Sequence, residues 1–431
     1  MNWPLIAFFT VFILIFILRM PIPIGVMTAA CVYCLVGGLD LKMVCMQSMS
    51  KLMGNYTVIA IPLFIFAANI MNAGKVTDKI FDFALGIVGR LRGGLGHVNV
   101  IASLIFAGMT GSAMADAAGL GKMEIAAMRD SGYDDGFSCA VTAGSAVLGP
   151  IFPPSITMVI YAMYSGASVG ALFMGGMVPA ILLALAEMCY IAFIAKKRNY
   201  PREPKMELKL FLRNTVKAIP ALFTPVILLL GIYTGIMTAT EAGAIAGVYA
   251  LFIAAFVYRS LSFDALRKCI VDTIKTTGSV SIMIGAAGAM SHIVTKEGIA
   301  KAVAKSLLNV TDNAGVLMLL IIIAVLFLGC FCDNSIINQI FLPIMMPLVM
   351  SLGLDLVHFG VTMVFAMMVG MITPPFGMLL FIVSNISDTP LQKVIKEIVP
   401  FIIVMIGVLF VVAYVPDIIL ILPKTFLDYA V

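Results

Sequence analysis

GMTGSAMADAAGLG (residues 108–121) and GPIFPPS (149–155) lie inside apolar sequence long enough to sit in a bilayer, yet neither reads as continuous helix. Glycines, prolines and small polar residues interrupt both. Lipid offers a broken backbone no water to bond, so irregular chain at membrane depth survives only where protein buries it or where it lines a polar cavity. Asp116 lies in the first piece, and an intramembrane carboxylate is a functional-site hypothesis by default. A second pair follows: LGCFCDNS (328–335), with Asp333, and ITPPFG (372–377). Two broken segments at corresponding places in two halves are the sequence pattern of a secondary transporter.

Composition sets the class. Of 431 residues 62% are hydrophobic and 11% charged, against roughly 25% charge in ordinary globular chains, and mean hydropathy is +1.10. Long apolar runs, not short alternating ones, make this an all-α polytopic membrane protein and exclude a β-barrel. The net charge of +5 reflects basic loops and not nucleic-acid binding. The eight cysteines have no zinc spacing and read as small hydrophobes. No cleavable leader is recognisable at the start: residues 2–18 read as a first retained span ending at Arg19.

Residues 21–37 form a second span. Residues 43–73 hold two short apolar runs around Gly54-Asn55, read as a re-entrant hairpin or a span broken there. Residues 75–92 suit an interfacial amphipathic helix. A span from 97 to 115 leads into the first break, 124–135 is polar enough to lie outside the core, and 137–164 is interrupted by the Pro-Pro loop. After a clean span at 169–195, eight of the 27 basic residues fall in 196–217, among them Lys205, which places this linker in the cytoplasm. The second half repeats the order: spans at 218–237 and 242–257, a hairpin at 273–293, an amphipathic stretch at 296–308, then the second break and Pro-Pro span. Asp116 and Asp333 are 217 positions apart, Pro153 and Pro374 221. The division expected is scaffold helices at 1–42, a first transport repeat at 43–168, scaffold at 169–271, a second transport repeat at 272–390 and a C-terminal helix at 391–431. An odd number of crossings per half inverts one repeat against the other.

A helix that stops in mid-membrane offers carbonyls to a cation at one end and N–H groups to an anion at the other. Thr110, Ser112, Ser155, Ser335 and Thr373 add hydroxyls, and Asp116 and Asp333 add charge. Oxygen ligands of this kind suit Na⁺ as the sole metal. Gly108, Gly111, Gly149 and Gly377 permit close backbone approach. Asn334, with Ser155, Ser335 and Thr373, is a candidate for the substrate cavity. Small residues also serve helix packing, and Asp116 also suits a helix cap. Thr238 and Glu241 fit a capping box. Glu187 lies inside a span with no role chosen, and His97, His292 and His358 read as interfacial. No Walker A motif and no G-x-S-x-G elbow occurs, so the chain reads as no enzyme and needs no cofactor beyond the coupling ion.

GMTGSAMADAAGLGKMEIAAMRDSGYDD, LGPIFPPSITMVIY, TATEAGAIAGVYA and MITPPFGMLLF, in this order, resemble the large membrane subunit of tripartite ATP-independent periplasmic (TRAP) transporters along essentially the whole chain. The resemblance implies a Na⁺-coupled elevator transporter of the bacterial inner membrane with two inverted repeats, re-entrant hairpins and broken helices. It implies a small membrane subunit as a separate chain and a periplasmic substrate-binding protein that delivers an organic acid. It assigns one cation site to Thr110, Gly111, Ser112 and Asp116 with Gly149, Pro154 and Ser155 of the loop, and a second to Asp333 with Thr373, Pro374 and Gly377. GGLGHVNV through MRDSGYDD is similar to the sialic-acid branch, a pointer to an acidic sugar alongside C4-dicarboxylates. The alternatives are a stand-alone Na⁺/carboxylate symporter without a binding protein and, from another class, a channel or membrane enzyme.

Overall fold

A computed structural model describes residues 2–429 apart from Arg19, Lys75, Lys205, Val310, Asp312 and Asp428, with residues 15 and 16 as backbone only. The readings placed on Arg19, Lys75 and Lys205 therefore lie outside the described residues. The first half holds α1 (Trp3–Ile17), α2 (Ile22–Val36), α3 (Lys42–Met53), α4 (Ala60–Ala73), α5 (Val76–Val88), α6 (Gly94–Thr110), α7 (Ala113–Gly119), α8 (Gly121–Asp130), α9 (Asp135–Ala146), α10 (Ile156–Ser165) and α11 (Val169–Lys197). The second holds α12 (Leu208–Tyr233), α13 (Ala239–Phe252), α14 (Phe263–Lys296), α15 (Ile299–Leu308), α16 (Ala314–Gly329), α17 (Asn334–Ser351), α18 (Leu356–Met371), α19 (Met378–Ser387), α20 (Leu391–Tyr414) and α21 (Asp417–Phe426). There is no strand among the described residues. Among the described residues seven helices, counting α4 with the short turn before it and α13 with the one after it, are long and apolar enough to cross a bilayer.

The re-entrant hairpins fall elsewhere than the sequence pattern suggests. Residues 273–293 are not a hairpin but the interior of α14, a single helix of 34 residues. Residues 43–73 are the other alternative, a rod broken at Gly54-Asn55. Its two pieces lie end to end along α14, with Ser48 and Leu52 near Gly285 and Asn69 bonded to Thr273. A polar Asn55 cap on the turn that follows restarts the second piece.

The hairpins are built at the breaks themselves. The chain climbs through α6, turns at Gly111-Ser112 and returns through α7 and α8, so that Asn99 faces Met128 across the turn (4.0 Å). The stretch 124–135 thus belongs largely to the returning arm, and Glu124 is buried within it. Helix α9 then runs beside α6 in the same direction, with Asn99 bonded to Thr142 (2.7 Å) and Ser103 to Ser145 (3.1 Å). In the second half α16 and α18 start at one end of α20, where Tyr414 donates to the Gly315 carbonyl and His358 meets that of Val412. They meet again at Gly329 and Gly370, so α17 between them runs back.

Opposite ends of α11 mark the two hairpin bases. At its C-terminal end Arg198 holds Asp134, at the foot of α9 (3.0 Å), while Gly93 donates to Pro201 of the basic linker (3.2 Å). At its N-terminal end Gly170 lies against Leu427, and Tyr429 donates to Asp355 at the foot of α18 (3.0 Å). At 1.5 Å per residue these ends are roughly 43 Å apart. The hairpins therefore enter from opposite sides, and the two repeats are inverted.

One large core gathers α9, α10 and α11 with α18, α19 and α20. Val169–Lys197, read from sequence as scaffold, and Leu391–Tyr414, read as a separate C-terminal helix, both pack inside it. A second core joins α5 and the outer face of α6 to α12 and α13; a third joins α1, α2 and α3 to the last turns of α14. Thr238 and Glu241 do form a capping box. His97 and His358 stand in the first turns of α6 and α18 and are both buried, His358 against the Val412 carbonyl of α20.

The Gly329–Gly370 crossing yields a test. A Cβ on Gly370 would stand 2.7 Å from the Gly329 Cα and 3.0 Å from a carbonyl oxygen, all backbone. Backbone cannot swing aside, so Gly370→Val is expected to lower stability by about 1–3 kcal/mol or more. Gly407→Ala, where a Cβ meets nothing within 4 Å, is expected to leave stability unchanged or raise it by about 0.5–1 kcal/mol. Thermal unfolding in detergent distinguishes the two; equal melting temperatures would mean that α16 and α18 do not touch.

Candidate functional site

Each hairpin tip is docked on the interrupted stretch of the broken helix beside it. Thr110 ends α6 and Ser112 caps α7, its hydroxyl accepting the Ala115 N–H (3.4 Å). Gly111 between them has φ +60°, and a Cβ there would fall 2.2 Å from the Pro154 carbonyl oxygen. Only glycine satisfies both the left-handed backbone and the contact. From the other side Gly149 abuts the Ser112–Ala113 backbone. Ser155 then starts α10 by accepting the Met158 N–H (3.1 Å). Tip and loop thus form one unit from 110–112 and 149–155.

The second unit repeats it. Asp333 caps α17, accepting the Ser335 N–H (2.8 Å). Gly377, with φ +39°, donates its N–H to the Cys330 carbonyl (3.2 Å) and ties tip to loop. The Thr373 hydroxyl donates to the Val369 carbonyl (2.7 Å). The Pro153-Pro154 and Pro374-Pro375 bonds are both cis.

These elements correct the pairing of the two aspartates. Ser112 and Asp333, the caps of α7 and α17, are 221 positions apart, as are Asp134 and Asp355, the caps of α9 and α18. Pro153 and Pro374 share that spacing. Asp333 is therefore the counterpart of Ser112. Asp116 lies one turn further on, where the second repeat has Ile337.

The two units face each other across a cavity of about 690 Å³. Thr110, Gly111 and Ser112 line it from one side, Asp333, Asn334 and Ser335 from the other. The start of α17 is joined directly to the start of α10: Asn334 Nδ2 donates to Thr157 Oγ1 (2.6 Å) and Asn338 Nδ2 to the Thr157 carbonyl (3.2 Å). Gly149, Pro154, Ser155, Thr373, Pro374 and Gly377 do not line this space but support the tips from behind. Asp116 does not line it either. It is 1% exposed, turned into the first hairpin, with neither carboxylate oxygen hydrogen-bonded; Glu124 and Glu187 are in the same condition. Asp333 differs, with Oδ1 engaged by its cap and Oδ2 buried without a partner.

The sequence reading missed four contributors. Thr157 sits two residues after the recognised loop. Asn69 of α4, and Thr276 and Ser279 of α14, close the cavity from the outer helices. Polar residues on one face of a long apolar helix were the available signal, hidden by reading 273–293 as a turn.

Arranged this way, the site offers hydroxyl, carbonyl and carboxylate oxygens to a hard cation and amide and hydroxyl groups to a polar solute. Comparison with known proteins agrees with a carrier. The family model described as "Tripartite ATP-independent periplasmic transporter, DctM component" matches residues 9–418. The chain is similar to the sialic acid TRAP transporter large permease protein SiaM of Vibrio cholerae, 39% identical over 89% of this chain and 90% of that one. It is also similar to the C4-dicarboxylate TRAP transporter large permease protein DctM of Pseudomonas aeruginosa, 37% identical over 86% and 87%. Among solved structures, the Alcanivorax borkumensis YdaH transporter shares the fold, with TM-score 0.57, 14% identity and coverage of 85% of this chain and 87% of that one.

The docking of tip on loop is testable at Gly111. Gly111→Ala is expected to strain the left-handed turn and push the tip off Pro154, and so to lower the melting temperature. Gly132→Ala is the control: it has φ +86° but open space, and it carries the turn strain without the contact. A melting temperature no lower for Gly111→Ala than for the control would show that the tip does not rest on the loop.

Proposed function

Because the chain belongs to the DctM family, the large permeases of tripartite ATP-independent periplasmic transporters, we propose that it imports an organic acid across the bacterial inner membrane, driven by Na⁺. Its proposed partners are a small membrane subunit and a periplasmic substrate-binding protein. The observation that carries this reading is the pair of tip-and-loop units facing one cavity, with Asp333 Oδ2 buried and unpartnered there.

One cation is held at the first unit by Thr110, Gly111 and Ser112 with oxygens of Gly149, Pro154 and Ser155. A second is held by Asp333, Thr373, Pro374 and Gly377. Two features support hydroxyl ligation. Thr110 and Thr373 donate their hydroxyl protons into the preceding helical turn, which leaves oxygen lone pairs for a cation. Ser112 and Ser155 already act as acceptors. Bound cations offset the negative charge of the acid, so acid and Na⁺ bind best together. That linkage converts an ion gradient into uptake.

Asp333→Asn isolates the charge, because asparagine caps a helix as well as aspartate does. Reconstituted with its small subunit and a binding protein, this variant is expected to need at least tenfold more Na⁺ for half-maximal uptake, a loss of about 1.4 kcal/mol. Thr110→Ser keeps the hydroxyl and is expected to be nearly silent. Unchanged Na⁺ dependence in Asp333→Asn would make Asp333 a helix cap and nothing more.

A further inference from the structure

Both tips bring polar groups to the cavity, but one polar pair in it has no counterpart in the other repeat. Thr157 and Asn334, bonded to each other, sit on its lining from opposite repeats. At the common spacing of 221, the counterpart of Thr157 is Met378 and that of Asn334 is Ala113. Met378 lines the same cavity, with Met114 and Ala115 beside the first tip. A polar group needed merely to build a tip would recur in both tips, as the caps and the cis prolines do. The Thr157–Asn334 pair does not recur, so it answers to what the cavity holds.

The pair is fixed and has unused bonding capacity. Thr157 is anchored through its carbonyl by Asn338, which is fully buried. Its hydroxyl accepts from Asn334, which leaves its own O–H free to donate. Asn334 commits one N–H to Thr157 and its Oδ1 to the Ser335 N–H (2.9 Å). The second N–H and one lone pair of Oδ1 remain. Ser335, Ser279 and Thr276 add further neutral groups around the space.

Charge narrows the ligand. Among the described residues lining the cavity, Asp333 is the one ionisable carboxylate, and there is no lysine, arginine or histidine. A dicarboxylate would bring two negative charges to a wall that already carries one. A monocarboxylate brings one, within what the coupling cations offset, and its remaining atoms must bond to neutral donors and acceptors. We propose that Thr157 and Asn334 form a substrate-reading pair that makes this site select a polyhydroxylated or amide-bearing monocarboxylate, of the sugar-acid class, over a dicarboxylate. The proposal rests on the transporter reading above. A site built to hydrogen-bond substrate hydroxyls discriminates strongly against analogues lacking them, because its own polar groups are then left unpaired.

The test measures binding to the permease complex without its binding protein, so that selectivity is that of the cavity. The purified complex of this chain with its small subunit is heated in Na⁺ buffer with N-acetylneuraminate, gluconate or succinate. Either sugar acid is expected to raise the melting temperature at a concentration at least tenfold below that required of succinate. Thr157→Val keeps shape but removes the hydroxyl. It is expected to raise the half-saturating concentration of the sugar acids at least tenfold, and to leave that of succinate within twofold. Asn334→Ala should do the same, and Asn334→Gln, which keeps the amide, should recover part of the loss. Succinate binding as tightly as the sugar acids, or both variants weakening every acid equally, overturns the inference while the transporter reading stands. If no acid binds and Na⁺ has no effect, the transporter reading fails and the inference fails with it.

Discussion

Unwound backbone in a dry interior has to find partners inside the protein, and the rest of this structure depends on that constraint. Four stretches are unwound near the cavity: two hairpin tips and two Pro-Pro loops. Each tip is satisfied by the loop beside it, Gly111 lying on the Pro154 carbonyl and Gly377 donating to Cys330. At Gly111 the approach is closer than any side chain permits, whereas Gly377 makes an ordinary hydrogen bond (3.2 Å) from a left-handed turn. Once tip and loop are locked together, the caps Ser112 and Asp333 are carried to the cavity edge by the helices they start, with Ser155 behind the first tip. The functional oxygens are thus a by-product of satisfying the backbone.

The same device is used twice from opposite ends, and its anchors are repeated too. At the foot of α9, Tyr200 donates to Asp134 (2.6 Å); at the foot of α18, Tyr429 donates to Asp355 (3.0 Å). The first anchor is reinforced by Arg198, which also reaches Glu397 of α20 (2.7 Å). Partly exposed ion pairs of this kind contribute little energy singly. Arg198, however, shares Asp134 with Tyr200 and holds Glu397 as well, and so fixes how α9, α11 and α20 meet. Where the anchors recur but a residue pair does not, the difference belongs to the contents of the site and not to its frame.

Much of this was legible in the sequence because membrane helices leave few reasons for Gly-Ser and Pro-Pro clusters. Gly111, Ser112, Asp333 and the two Pro-Pro loops were recognisable as breaks, and their spacing revealed the repeat. The direction of the chain at each break was not legible. A re-entrant arm and a crossing span are both apolar helices, and periodicity cannot tell whether the chain turns back at Gly111 or continues. Reading the stretches before the two breaks as crossing spans left the hairpins to be placed upstream of them, at 43–73 and 273–293, where the chain is a broken rod and the interior of α14. Burial was equally hidden: Glu124 sits among Lys122, Arg129 and Asp130, a run that looks solvated until α6, α9 and α19 are packed around its other face. Asp116 and Asp333 matched by chemistry, whereas the fold matches positions, and by position Asp333 answers to Ser112.

The cavity lies where the central core meets the outer helices. Its tips come from the former, while Asn69, Thr276 and Ser279 come from α4 and α14, and Pro21–Pro23 from the start of α2. Among the described residues no ion pair crosses that boundary. Arg129–Asp135, Arg198–Asp134, Arg198–Glu397 and Lys424–Asp417 lie within the central body and the linker attached to it, and Lys42–Asp40 lies within the outer helices. What joins the two bodies is mainly apolar packing, as along α6 against α5 and α12. Such packing is non-directional and scales with area, so one body can shift along the other while the area stays constant. A buried ion pair would instead have to break and leave a charge stranded. Confining ion pairs to the inside of each body leaves weaker contacts at the boundary, such as the Tyr233 hydroxyl on Met177 Sδ (3.1 Å) and Lys51 over the Tyr164 ring, to be exchanged by a shift, and the cavity at that boundary is the part such a movement would uncover.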